Sequence, residues 1–290
     1  MAAKKILVVY HANCADGFTA YWVAKRHFDF LAQEEDIEVT YKAGSYGDNH
    51  YPDFRVDEVY ILDFSYKRRK MLEIIRKAGR VIILDHHKTA INELSDLLKN
   101  GKMEGILDND RSGALITWDY FNPPSEDVET PVLVRYVSDR DLWKFELPHS
   151  KEVNSAIFSY EMTYENWQWL STRTAIELFS DGEAILRKHE KDVKALAKDA
   201  VRGTILGHEV PIVNANYTYG SDIASLLAEG EKFAAYYWMR GEEIKFGLRS
   251  SKDGGLDVSE IAEHFGGGGH KHAAGFNLPN GAEFDRLNNK

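Results

Sequence analysis

Apolar and polar positions in the first hundred residues alternate between two regimes. Continuous, β-branched apolar runs occur at Ile6–Tyr10, Ile37–Lys42, Val59–Leu62 and Arg80–Leu84. Between them lie stretches of helical pattern, from Phe18 to about Phe30 and over Tyr66–Gly79, where Gly79 is a good helix stop. Short runs that are apolar throughout suit strands buried on both faces, and helices of this length between them suit parallel crossovers. The pattern predicts an α/β protein built on a parallel sheet with flanking helices.

Residues from Gly113 to about Trp169 read as mostly helical, with a loop at Pro123-Pro124. Ser180-Asp181-Gly182-Glu183 has the form of a capping box, with Ser followed three residues later by Glu. The helix it would open aligns Ile185, Leu186, His189, Val193, Leu196 and Ala200 on one side and stops near Gly203. An inter-domain connector and an ordinary surface helix both fit that pattern. From Thr204 the chain changes to short strands, with a hairpin expected at Gly241-Glu242-Glu243, a helix at DVSEIAEHF and then GGGGHKHAAGF. The expected organisation is therefore a first domain over 1–180, a connector helix over 181–203 and a smaller α/β domain over 204–290. Glu283–Lys290 is expected to fray.

Composition narrows the function classes. The 290 residues are 43% hydrophobic and 28% charged, which excludes collagen-like and wholly disordered chains. The single cysteine, Cys14, excludes an intrachain disulfide framework and a cysteine-rich zinc module, and suits a reducing, cytoplasmic setting. No apolar run approaches the roughly 18 residues of a spanning helix, and Met1–Tyr10 lacks the features of a signal peptide, so no membrane association is expected. The net charge of −10, from 36 basic and 46 acidic residues, argues against a broad surface that coats nucleic acid. It leaves room for a small phosphate-bearing ligand, because bound divalent cations invert the field of a carboxylate-rich site.

The candidate chemistry sits at strand ends. Asp16 lies in the loop after the first strand, in His11-Ala12-Asn13-Cys14-Ala15-Asp16-Gly17. Asp63 directly follows YIL, and Asp85-His86-His87 directly follows VIIL. Ligands of an open parallel sheet bind beyond the carboxyl ends of its strands, so this topology brings the three segments to one edge. Any one of these aspartates alone reads as a cap or turn residue. Three carboxylates and two histidines together make an oxygen-and-nitrogen cage for a divalent metal. A further cluster, Ser138-Asp139-Arg140-Asp141, reads either as a charged helix end or as the source of another carboxylate.

With its ordered motifs the chain resembles the DHH phosphoesterase family, which includes RecJ-type exonucleases and nanoRNase-like enzymes. The resemblance rests on Asp85-His86-His87, on Asp16-Gly17, on Asp63 and on Asp139. At the other end, Gly266-Gly267-Gly268-Gly269-His270 looks like the GGGH signature of the DHH-associated domain. It implies that Asp63 bridges two manganese ions, with magnesium or cobalt as substitutes. Asp16, His86 and Asp139 would complete one site and His11 would help hold the other. His87 would face the substrate phosphate, and Asp85 would orient the neighbouring histidines. The chain departs from the family in its first motif: Cys14 stands where many relatives carry aspartate, and the interval from His11 to Asp16 is one residue shorter. A small buried thiol and a thiolate ligand are both open there.

For the second domain, glycine backbone N–H groups can converge on an anion. Gly267, Gly268, Gly269 and His270 are therefore expected to hold the far end of the substrate, with Arg249 as a bidentate phosphate contact. Ser112, in Arg111-Ser112-Gly113, is a candidate anion contact or a plain helix cap. The expected activity is a metal-dependent phosphodiesterase acting on short RNA or DNA oligonucleotides or on linear or cyclic dinucleotides. A phosphatase on a nucleoside bisphosphate and a non-catalytic nucleic-acid-binding relative are the alternatives; a pyrophosphatase is disfavoured by Gly266–His270. No protein partner is indicated.

Overall fold

The computed structural model describes residues 2–45, 50–123 and 128–280. The segment Glu283–Lys290, expected to fray, lies outside the described residues, as does Pro124. Two compact units divide at Leu186/Arg187.

The first unit begins with β1 (Lys4–His11), α1 (Ala15–Leu31), β2 (Ile37–Gly44), β3 (Glu58–Leu62), α2 (Arg68–Lys77), β4 (Arg80–Asp85), α3 (Lys88–Lys99) and β5 (Glu104–Leu107). All five strands are parallel, in the order β2-β1-β3-β4-β5. Alternation along the strands sorts their side chains into two cores. Leu7, Val9, Val59, Ile61, Val81 and Ile83 pack with Met71, Ile74, Leu94 and Leu97 of α2 and α3. Ile6, Val8, Tyr60, Leu62, Ile82 and Leu84 pack with Ala20, Ala24 and Phe28 of α1 on the opposite face. Both faces are covered, which is why the strands read as continuous apolar runs. The apolar pattern does not announce β5, because Glu104 and Gly105 hide its character.

Four helices follow: α4 (Gly113–Phe121), α5 (Val132–Asp141), α6 (Ser150–Phe158) and α7 (Tyr164–Leu170). Their apolar faces meet around Trp22, Trp118, Leu133, Val137, Ile157 and Trp167. Trp167 is 1% exposed and donates its indole N–H to Thr19 Oγ1 at 2.9 Å, which ties α7 to α1.

The long helix α8 (Ala175–Leu196) corrects the expected start at Ser180. Two Ser/Thr-x-x-Glu sequences compete, and the earlier one wins. Thr174 Oγ1 accepts from the Glu177 N–H, while Glu177 Oε2 accepts from the Thr174 N–H at 2.8 Å. Ser180 then lies inside the helix, and Gly182 passes so close to Glu152 O that a Cβ would stand 1.8 Å from it. The helix also ends earlier than Gly203, in a single 3₁₀ turn at Ala197–Asp199.

The second unit contains β6 (Val201–Ile205), β7 (His208–Asn214), α9 (Tyr217–Leu227), β8 (Ala234–Arg240), β9 (Glu243–Arg249), α10 (Val258–His264), β10 (Gly268–His270) and β11 (Ala273–Pro279). Its sheet has the order β10-β11-β9-β8-β7-β6, antiparallel except for the β7–β8 pair. The β6–β7 hairpin turns through Leu206 (φ 48°) and Gly207 (φ 78°), the positive pair that a two-residue turn of this hand requires. The protein is thus α/β, with a parallel-sheet unit and a smaller α/β unit.

Candidate metal and phosphoester site

The register of the parallel sheet builds the site. Tyr10, Leu62 and Leu84 are lateral neighbours across β1, β3 and β4. The next residue on each strand is His11, Asp63 and Asp85, so the three emerge in one row at the carboxyl edge. The chain leaves β1 toward β2 on one side and returns to β3 on the other, which makes the β1/β3 gap the topological switch point.

Asp63 stands at the centre. It is fully buried, and its backbone adopts the left-handed region at φ 52°, where aspartate is tolerated better than most residues. Its Oδ2 lies 3.3 Å from His11 Nδ1, and its Oδ1 lies 3.1 Å from His86 Nε2. Asp63 Oδ1 is a buried acceptor that accepts no geometrically regular hydrogen bond among the described residues. Three donor groups gather around it, each with its ligand atoms within 4.8 Å of one another: His11/Cys14/Asp63, Asp16/His86/Asp141 and Asp63/Asp85/His87.

Asp16 sits in the first turn of α1 and reaches the N-terminus of α4. Its Oδ2 accepts from the Gly113 N–H at 2.7 Å and its Oδ1 from the Ala114 N–H at 3.1 Å. A Cβ at Gly113 would lie 2.4 Å from Asp63 Cβ, so only glycine lets α4 approach this closely. Ser112 is the N-cap of α4, 0% exposed, with its hydroxyl accepting from the Leu115 N–H at 3.3 Å. Of the two readings left open for Ser112, the structure shows the cap. Burial denies it to a substrate.

Asp85 is fully buried, and its Oδ1 receives the N–H groups of His86 and His87 at 2.8 and 3.2 Å and His87 Nδ1 at 2.7 Å. One carboxylate oxygen thereby fixes the following peptide and the His87 ring, and Nε2 is on the far side of that ring. Asp85 Oδ2 accepts no hydrogen bond among the described residues. Sequence reasoning misses Asn109. Its Nδ2 donates to His86 O at 2.8 Å, and Asp108 N donates to Asp85 O at 3.1 Å, so the loop after β5 secures the histidine pair from behind. An Asp-Asn pair after an inconspicuous strand is the only signal it gives.

Asp139 requires a correction. Its Oδ1 accepts from the Glu146 N–H at 3.0 Å, and its Oδ2 from the Leu147 N–H at 3.5 Å and the Ser150 hydroxyl. These bonds hold the turn after α5, and Asp139 joins none of the donor groups above. Asp141, not Asp139, lies beside Asp16 and His86: its Oδ2 is 3.4 Å from His86 Nε2, with the side chain a quarter exposed.

The electrostatics show a site short of positive charge. Burial raises the Asp16 pKa well above the carboxylate range, and the charges of Asp141 and Asp63 add to the rise. Burial and Asp63 likewise raise Asp141 against the opposing pull of His86. Burial would also raise Asp63, but His11 and His86 hold it well below its usual value. Burial lowers His86, and Asp63, Asp141 and Asp16 more than reverse that, leaving it well raised. Burial, then Asp63, Asp141 and Asp16, keep the Cys14 thiol well above its usual range.

In the second unit, Arg249, Ala273 and His270 form one lateral row, and Gly247, Gly275 and Gly268 the next. Ser221 Oγ receives Arg249 Nε at 3.1 Å and Nη2 at 2.8 Å, which fixes the guanidinium. The glycine run is not an open loop, which corrects the expectation for Gly267. Gly266 (φ 79°) and Gly267 close the end of α10, donating to Glu263 O at 2.9 Å and Ala262 O at 2.8 Å. The Gly267 N–H is therefore engaged, while Gly268, Gly269 and His270 form β10.

Residues 216–290 match the DHHA1 domain. The chain is 28% identical over 286 residues to the uncharacterized protein R106 of Acanthamoeba polyphaga mimivirus, covering 93% of this chain and 66% of the viral protein. It is 27% identical over 297 residues to oligoribonuclease NrnB of Bacillus subtilis (strain 168), covering 93% of this chain and 72% of that one. The chain thus spans about two thirds of the length of these relatives. Its fold is similar to RecJ of Thermus thermophilus in complex with Mn2+, with TM-score 0.54 and 16% identity over 98% of this chain and 51% of that one. A manganese-bound exonuclease RecJ gives TM-score 0.50 at 16% identity, covering 98% of this chain and 88% of that one. Among the described residues no helix is long and apolar enough to cross a membrane.

Proposed function

We propose that the chain is a DHH-family phosphoesterase, on its DHHA1 match over residues 216–290 and its likeness to oligoribonuclease NrnB, and that it acts as a metal-dependent phosphodiesterase. Its substrates are short oligonucleotides or linear or cyclic dinucleotides, which it hydrolyses to mononucleotides. The reading rests on one observation: Asp63 lies between His11 and the Asp16/His86/Asp141 group at the switch point of a parallel sheet.

The donor set fits divalent cations. Asp63 Oδ1 and Asp85 Oδ2 are buried acceptors without a hydrogen bond among the described residues, and the raised Asp16 and Asp141 carboxyls need a countercharge. Asp63 is the residue able to serve two ions. Asp16, His86 and Asp141 would hold one, and His11 would help hold the other; Asp139 is left to the turn it stabilises. Manganese is the preferred ion for the mixed carboxylate–imidazole group. When bound, such ions supply Lewis-acid activation of water and neutralise charge on the phosphoryl oxygens.

The chain's own residues do the rest. Asp85 locks the tautomer and orientation of His87, which then presents Nε2 to a phosphoryl or leaving oxygen. Arg249, braced by Ser221, offers two donors to a terminal phosphate, with His270, Gly268 and Gly269 alongside. The net charge of −10 disfavours a long strand, and the oligoribonuclease among the relatives points the same way. The test is to incubate the protein and manganese with dinucleotides, oligomers of graded length and nucleoside bisphosphates, then identify products by mass. Mononucleotides from the shortest diesters are expected. Release of inorganic phosphate from bisphosphates alone would overturn the reading.

A further inference from the structure

The turn after α5 holds Asp139 through the Glu146 and Leu147 N–H groups, and that task uses only backbone. It leaves the side chains of the turn unexplained. α5 closes at Leu142, and the N–H groups of Trp143 and Lys144 donate to Arg140 O and Asp139 O, each at 2.9 Å. In this helix ending the residue in the place of Trp143 is left-handed and is ordinarily glycine. Here it is tryptophan at φ 53°, and Phe145 is left-handed as well at φ 52°. A bulky residue is an outlier in that region. Two aromatic residues where glycine would relax the backbone point to a task for their rings.

The two rings meet edge to face with centroids 4.9 Å apart, and both are half-buried. The Arg140 guanidinium lies over Trp143 at 5.4 Å and over Phe158 at 4.8 Å, and Lys151 Nζ lies over Phe145 at 5.5 Å. Phe158, the last residue of α6, is 43% exposed. Three part-exposed rings and two cations thus form one patch in a chain of net charge −10. The patch begins beside the donor cluster: two residues separate Trp143 from Asp141, so their Cα atoms lie within about 7 Å. We infer that it is a base-stacking clamp for a nucleotide flanking the scissile phosphate. Trp143 and Phe145 take the base, and Arg140 and Lys151 take the adjoining phosphates. Rings interleaved with cations complement a single strand, in which bases and phosphates alternate. This inference rests on the phosphodiesterase reading, and it adds that the first unit itself grips a base.

Titration calorimetry tests it, with manganese-loaded full-length protein and a triadenylate whose phosphorothioate linkages resist hydrolysis. Removing one base at a time should weaken wild-type binding by about tenfold or more at one position, the scale of a lost stack. Trp143→Ala should bind the intact probe about as weakly, and removing that base should then change nothing further. Phe145→Ala should show the same loss at the same position, and Trp143→Phe should recover most of the affinity. Lys151→Ala should weaken every probe alike and flatten the salt dependence, because a phosphate contact does not sense the base. An abasic penalty of equal size in the wild type, Trp143→Ala and Phe145→Ala would overturn the clamp and leave the phosphodiesterase reading intact. Wild-type binding that ignores the base at every position would also overturn it and leave the patch to a protein partner. Failure of the wild type to cleave ordinary triadenylate would count against the earlier reading, while the binding comparison still decides the clamp.

Discussion

Asp139 and Asp141 show how two residues of the same type, two positions apart, come to do unrelated work. At that spacing on a helix their side chains point to different sides, so one at most can face the cluster. The motif order points to Asp139, and the deciding feature is not local. The chain after α5 folds back through left-handed Trp143 and Phe145, bringing the N–H groups of Glu146 and Leu147 onto Asp139. Asp141 remains for His86. The two should separate in experiment. Asp139→Asn should cost about 1.5–3 kcal/mol of stability in chemical denaturation, the scale of hydrogen bonds to a charged group, and retain metal. Asp141→Asn should keep its stability and lose metal affinity in a manganese titration. Equal metal loss in both variants would show that both carboxylates bind. Strand-end residues Asp63, Asp85, His86 and His87 are legible because their place follows from a short apolar run and the rule for parallel sheets.

At the scale of elements, α4 does more for the site than its modest length suggests. Its first two N–H groups hold Asp16, Ser112 caps it, and Gly113 lies against Asp63. Gly113→Ala would place a methyl 2.4 Å from Asp63 Cβ, so helix or aspartate must move. We expect a loss of about 1–3 kcal/mol, the range for overpacking, together with weaker manganese binding in the same variant. Unchanged metal affinity would mean that α4 can retreat without carrying the cluster. Nothing in Arg111-Ser112-Gly113 announces this contact, because it depends on Asp16 and Asp63, both far away in sequence. The start of α8 is hidden for a different reason. Thr174 and Ser180 each head a Ser/Thr-x-x-Glu sequence, and local chemistry cannot rank them; the buried Leu178 between them, packed in the helical core, selects the earlier. The glycine run is readable as a special backbone but not as an open cradle, since closure of α10 and pairing with β11 engage part of it.

At the scale of the molecule, the sheet order β2-β1-β3-β4-β5 concentrates residues from positions 11 to 141 at one switch point. The second unit has its own core and its own row of Arg249 and His270. The roles proposed for the two units predict a split in substrate dependence. His270→Ala should leave manganese content unchanged and weaken turnover of dinucleotides by about ten- to a hundredfold, the equivalent of one charged hydrogen bond. Hydrolysis of bis(p-nitrophenyl) phosphate, which lacks a nucleotide end, should change far less. An equal loss on both substrates would place the glycine segment in the chemistry or in the stability of the fold.

In the proposed function Asp63 is the shared carboxylate that organises the metals for phosphodiester cleavage. The most direct test of that role is the initial rate of dinucleotide hydrolysis with saturating manganese in the wild type and in Asp63→Asn, a near-isosteric change. Loss of several kcal/mol of transition-state stabilisation predicts a fall of about a thousandfold or more, matched by the wild type after exhaustive chelation. A folded Asp63→Asn protein that turns over within about tenfold of the wild type would contradict the account.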